Sequence, residues 1–162
     1  MGIKVNLISL GCSKNLVDSE WMQGILDSRG YEIVGVEEKA EVTIINTCAF
    51  ITPAKEEAIE TIFDTVRRKI SGKTQAIVVA GCLAQRYGSV LLEEIPEIDG
   101  VMGTGAIPQI SQVVTEVLQG ERPCRVAAPA FSYQQELPRQ LSLPFYSAYL
   151  KIADGCSNCC SY

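Results

Sequence analysis

Three short apolar, β-branched runs, each ending in a turn, a cysteine and a helix-like segment, constrain this chain more than any other feature. The runs are Val5-Asn6-Leu7-Ile8-Ser9-Leu10, Val42-Thr43-Ile44-Ile45 and Ala76-Ile77-Val78-Val79-Ala80. Cys12, Cys48 and Cys82 follow behind Gly11, Asn46-Thr47 and Gly81. If the runs are parallel strands of one sheet, all three sulfurs emerge at its carboxyl-end edge, where open α/β sheets bind ligands. Three thiolates converging in a chain of 162 residues without a single histidine point to a soft metal, most naturally an iron–sulfur cluster.

Strand and helix signals alternate from residue 3 to about residue 120. Strands are expected near 4–9, 31–36, 42–46, 76–80 and 98–102. Between and after them, helices are expected near 15–29, from Thr52 to about Gly72, near 84–94, and around Ile110 to Leu118. Asn15 reads as the N-cap of the first helix, with Asp18 and Glu20 stabilising its positive end. Thr52-Pro53 reads as a cap followed by proline at the first helical position. The alternation predicts an α/β fold, an open parallel five-stranded sheet of order 2-1-3-4-5 with helices on both faces. That order makes strands 1, 3 and 4 direct neighbours, about 4.8 Å apart, so the outer two cysteine loops start roughly 10 Å apart.

Residues 1–122 thus read as one domain. Residues 123–147, with Pro123, Pro129, Pro138 and Pro144 and no period, read as a linker. Residues 148–162 read as the start of a second domain, with Ala148-Tyr149-Leu150-Lys151-Ile152 as its first strand, cut off soon after.

The formal charge of −5 argues against a large nucleic-acid footprint on this domain and favours a basic partner. No apolar run is long enough to span a bilayer, so no membrane association is expected, and no signal peptide is evident. Seven cysteines, an odd number, without a secretory signal argue for a reducing compartment and a cytoplasmic location. Phosphate-binding motifs fail: Gly11-Cys12-Ser13-Lys14-Asn15 is not a dinucleotide fingerprint, and Gly103-Thr104-Gly105 is a fragment with nothing to complete it.

A single cysteine after a strand is most often a small core residue, and Cys124 reads that way. Three at equivalent strand ends read as ligands. Zinc is the runner-up metal, but its structural sites want four ligands, often in Cys-x2-Cys pairs. Three protein ligands on a four-iron cluster would leave one iron open to an exogenous ligand.

Gly11-Cys12-Ser13-Lys14-Asn15-Leu16-Val17-Asp18-Ser19-Glu20, Asn46-Thr47-Cys48 and Ala80-Gly81-Cys82-Leu83-Ala84-Gln85-Arg86-Tyr87 together resemble the N-terminal domain of the methylthiotransferases, which are radical S-adenosylmethionine enzymes. The end, from Tyr149 to Tyr162, resembles the first strand and cluster loop of their catalytic barrel. The resemblance implies two 4Fe-4S clusters. An auxiliary cluster would sit on Cys12, Cys48 and Cys82. A radical cluster on a Cys-x3-Cys-x2-Cys motif would use Cys156 and Cys160, with Cys159 at a variable position and the third cysteine beyond Tyr162. S-adenosylmethionine and a reducing electron donor are implied with them. In the intact enzyme, a radical derived from S-adenosylmethionine would remove hydrogen from an unactivated carbon, and a methylated sulfur would then be joined to that carbon. A chain stopping at Tyr162 is expected to be inactive alone.

The motif around Cys12 resembles the branch that modifies the β-carbon of an aspartate in the twelfth protein of the small ribosomal subunit. Modification of transfer RNA adenosine is the alternative. A non-catalytic iron–sulfur domain for electron transfer or sensing is another.

Overall fold

Thr43-Ile44-Ile45 and Ile77-Val78-Val79 carry bulky side chains at consecutive positions, so as strands they need cover on both faces. The structure, a computed structural model describing residues 2–126, 137–144, 146–153 and 158–159, provides it. The strands are β1 (Lys4–Ser9), β2 (Glu32–Val34), β3 (Ala40–Thr47), β4 (Thr74–Gly81), β5 (Gly100–Met102) and β6 (Cys124–Arg125). They form one parallel sheet of order β2-β1-β3-β4-β5-β6. Helices α1 (Ser13–Ser28) and α4 (Ile110–Leu118) cover one face, and α2 (Thr52–Ile70) and α3 (Cys82–Glu94) the other.

Alternate residues of each central strand feed two separate cores. Val42, Ile44, Val78 and Ala80 pack with Met22 and Leu26 of α1 and with Val113 and Val114 of α4. Ile45, Ile77 and Val79 pack with Ala58 and Ile62 of α2 and with Leu83 and Ala84 of α3. The expected order 2-1-3-4-5 is therefore present, with β1, β3 and β4 side by side. Their ends are also level: Ser9 pairs with Asn46, Asn46 with Ala80, and Thr47 with Gly81.

The sheet has a sixth strand where five were expected. Val101 N–H donates to Pro123 O at 2.9 Å, and Gly103 N–H donates to Arg125 O at 2.9 Å. Without β6 these donors, one on β5 and one just after it, would stand at an open edge. Arg122 holds the turn before it by donating to the carbonyls of Leu92 and Ile98, each at 2.9 Å. Residues 148–152, expected to be a strand, form no strand pairing among the described residues. A strand needs a partner ladder, and here this stretch is instead tied down by side chains: Arg139 donates to Tyr149 O at 2.7 Å, and Lys151 reaches Asp18.

Helix starts differ by small shifts that matter. α1 begins at Ser13, with Cys12 in an extended conformation as its cap, so Asn15 lies inside the helix rather than capping it. α2 begins at Thr52, with Ile51 as the cap. Asp18 and Glu20 consequently fall beyond the first turn of α1, where the helix dipole no longer acts on them. Both are buried and paired.

Glu20 is the more enclosed of the two. Its Oε2 accepts from Arg139 Nε at 2.8 Å and Nη2 at 2.6 Å, and its Oε1 accepts from Ser142 N–H at 2.9 Å and Oγ at 2.7 Å. Burial acts to raise the carboxyl pKa, but the Ser142 and Arg139 contacts outweigh it and hold the group below the usual carboxylate range. A depressed folded-state pKa contributes stability at and above the ordinary carboxylate value, and that stability is lost as pH falls through the depressed one. Protection factors of the backbone N–H groups in 137–142, taken against the intrinsic exchange rate at each pH, are therefore expected to fall on acidification below about pH 4, the ordinary carboxylate range. In Glu20→Gln that step should vanish, with protection low at every pH. An unchanged acid step in Glu20→Gln would assign it to another group.

Candidate metal centre

Level strand ends bring the three cysteine loops together. Cys12 caps α1, Cys82 opens α3, and Cys48 follows β3 four residues ahead of α2. Each sits at or just ahead of a helix N-terminus, and those of α1 and α3 carry partial positive charge that favours an anionic group at this edge. Among the thiols, Cys12 is exposed, Cys48 buried and Cys82 intermediate.

Asn15 is the hub of the site. Its Nδ2 donates to Leu10 O and to Thr47 O, each at 3.0 Å, tying the loop before Cys12 to the loop before Cys48. Its Oδ1 receives long sulfur contacts from Cys12 Sγ at 3.9 Å and Cys82 Sγ at 3.8 Å. One buried amide thus touches all three loops. Asn46 supports it from below, with Nδ2 donating to Asn15 O at 2.8 Å and Ser19 Oγ at 2.9 Å.

Glycine permits the close approach. Gly11 (φ +91°) and Gly81 (φ +90°) occupy the left-handed region that other residues avoid. A Cβ on Gly11 would lie 2.6 Å from Cys48 Cβ and 3.3 Å from Cys48 Sγ. On Gly81 it would lie 2.3 Å from Asn46 Oδ1 and 2.5 Å from Thr47 O. The loops touch because neither position has a side chain.

Among the described residues, no group of three or more cysteine or carboxylate side chains stands close enough to ligate a single metal ion. A four-iron cluster takes its thiolates at separate corners, so the relevant match is the donor set and its placement. Three thiols, no histidine, level loops and helix N-termini at one edge make a donor set that fits such a group. Cys124 lies away from this edge on β6 and is exposed, so it is not the core residue expected. Cys159 is exposed, and Cys156 and Cys160 lie outside the described residues. Sequence reasoning missed Asn15, Asn46 and Ser19. The available signal was polar residues at the end of a buried strand and on the covered face of a helix, where each needs a partner.

The sequence matches the family described as Uncharacterized protein family UPF0004 over residues 4–103. It is 54% identical over 162 residues to the ribosomal protein uS12 methylthiotransferase RimO of Pelotomaculum thermopropionicum, covering 100% of this chain and 36% of that protein. It is 49% identical to the protein of that name from Heliobacterium modesticaldum, over 99% of this chain and 35% of the relative. With that from Desulforamulus reducens it shares 50% over 98% of this chain and 36% of the relative. The chain spans about a third of the length of the curated relatives it matches. The match bears out the resemblance carried by the three cysteine motifs: this chain belongs to the UPF0004 family, and it corresponds to the N-terminal part of proteins named as uS12 methylthiotransferases.

Proposed function

We propose that this chain is the auxiliary-cluster domain of an enzyme that methylthiolates the β-carbon of an aspartate in the twelfth small-subunit ribosomal protein. The observation that carries the reading is the convergence of Cys12, Cys48 and Cys82 on one sheet edge around Asn15. The relatives' names support the reaction class and the substrate.

In this reading Cys12, Cys48 and Cys82 hold one 4Fe-4S cluster. Cys156 and Cys160, with a third cysteine beyond Tyr162, hold the other. The clusters and S-adenosylmethionine, when bound, supply the radical and sulfur-transfer chemistry. The chain's own contribution is placement. Asn15 fixes the spacing of the three loops, Gly11 and Gly81 let them approach, and the helix N-termini offset negative charge at the edge. A reducing electron donor is the implied partner, and a reducing cytoplasm the implied setting, which an odd count of seven cysteines suits. No helix of the described residues is long and apolar enough to cross a membrane.

Nineteen acidic against fourteen basic side chains favour a basic ribosomal protein over a phosphate backbone at this domain. The full-length enzyme, offered both substrates with S-adenosylmethionine and reductant, should add methylthio mass to the ribosomal protein aspartate. Methylthiolated adenosine beside an unmodified ribosomal protein would overturn the substrate assignment. Release of 5′-deoxyadenosine without either product would overturn the reaction.

A further inference from the structure

Helices α2 and α3 cover their sheet face without closing the space between them. Along their outer sides runs an open groove, two adjoining hollows of about 570 and 450 Å³ that share Lys55, Ile59 and Phe63. Its floor is apolar, with Ile59 and Phe63 from α2 and Leu83, Tyr87, Val90 and Leu91 from α3. Phe63 is 46% and Val90 50% exposed, at positions where a helix surface facing water ordinarily carries polar residues. From Lys55 to Arg67 the groove follows α2 for about 18 Å, the length of roughly five extended residues or three helical turns.

The rim decides what such a groove can hold. Glu56 and Glu60 stand on the α2 side and Glu94 beside α3. Arg67 is neutralised by Asp64 one turn earlier, which leaves Lys55 alone against the three carboxylates. An apolar floor under a net negative rim fits a segment carrying both apolar and cationic side chains, and it repels a phosphate backbone.

The groove opens at the cysteine edge. Lys55 and Leu83 lie in the first turns of α2 and α3, and Leu83 directly follows Cys82. Phe50 and Ile51, 72% and 53% exposed, extend the apolar strip to within two residues of Cys48. Residues 137–144 do not cover it: Arg139 and Ser142 seat on Glu20 of α1, across the sheet on the opposite face.

We propose that the groove between α2 and α3 docks a basic, partly apolar segment of the substrate protein and so holds that protein beside the edge from which Cys48 and Cys82 emerge. The proposal rests on the proposed function for the identity of the substrate, and it adds where this domain grips it. A ribosomal protein suits the groove, because a surface that neutralises RNA phosphates is cationic. Grip at a distance from the reacting carbon supplies orientation without touching the chemistry.

The test titrates this chain into fluorescently labelled twelfth small-subunit ribosomal protein and reads anisotropy. Wild type should bind with an affinity that falls as salt rises. Phe63→Gln should weaken binding at least tenfold, and Glu60→Gln/Glu94→Gln at least threefold with a shallower salt dependence. All three side chains are exposed and glutamine is a good helix former, so circular dichroism should match wild type. Glu37→Gln/Glu121→Gln removes the same charge at exposed sites elsewhere and should bind as wild type does. Wild-type affinity in both groove variants, an equal loss in the Glu37→Gln/Glu121→Gln protein, or no binding by wild type would overturn the docking site. Sedimentation of wild type as a dimer that Phe63→Gln disperses would also overturn it, by giving the groove to a second copy of the chain. The methylthio assay on the full-length enzyme is read separately. Modified ribosomal aspartate without groove binding refutes the groove and keeps the substrate, whereas methylthiolated adenosine with groove binding intact refutes the substrate and keeps the docking surface.

Discussion

After anaerobic reconstitution with iron and sulfide, the Cys12→Ala/Cys48→Ala/Cys82→Ala protein is expected to hold no auxiliary cluster, whereas wild type holds one. The effect is all or none, because cluster iron is held by thiolate bonds and alanine offers none. Fold loss does not explain it away. Cys12 is exposed and Cys82 only half-buried, and the two apolar cores lie on the sheet faces, away from the loops. Only Cys48 is buried, and trimming one sulfur there removes a small packing contribution of about 1 kcal/mol. Far-ultraviolet circular dichroism should therefore match wild type while visible absorbance and the paramagnetic signal of the reduced cluster disappear. Iron and sulfide at the wild-type level in the folded triple variant would remove these cysteines from the site.

Asn15→Leu is expected to be the most damaging single change at the site that leaves every cysteine in place. Leucine is close in size, so the comparison isolates the amide. Its loss strands Leu10 O and Thr47 O, each now satisfied at 3.0 Å. An unsatisfied buried acceptor costs about 1–3 kcal/mol; Thr47 O is buried and Leu10 O half-buried, so the two together cost roughly 2–4 kcal/mol. For a domain of this size that is a fall in melting temperature on the order of 10 °C. The loops bearing Cys12 and Cys48 would also lose their only shared side-chain tie among the hydrogen bonds described, so iron uptake should fall several-fold although all three thiols remain. A melting temperature and iron content equal to wild type would show that the strand ends alone set the spacing.

The sheet was legible in the sequence because its signal is local. Consecutive bulky residues at Thr43-Ile44-Ile45 and Ile77-Val78-Val79 demand two covered faces, and alternation of such runs with helical periods leaves a parallel, doubly covered sheet as the economical solution. Cys12, Cys48 and Cys82 inherit their common edge from that topology, since parallel strands all end on the same side. The sixth strand was not legible. Cys124–Arg125 is too short to carry a period, and it exists only because β5 has an open edge to fill.

The helix N-terminus shows the same division. Asn15 has the residue type of a cap, and only the chain's path through Gly11 at φ +91° moves the start of α1 to Ser13 and turns Asn15 inward onto the three loops. Asp18 and Glu20 likewise have the composition of a solvated helix start. Their partners, Lys151 and Arg139, come from more than a hundred residues away. Hydrophobic pattern by itself determined which elements form, how the sheet is ordered and where the cysteines emerge, because burial acts on each segment's own period. Which polar groups become buried, and with what partner, was decided only by tertiary structure, because it depends on a segment that no local window contains.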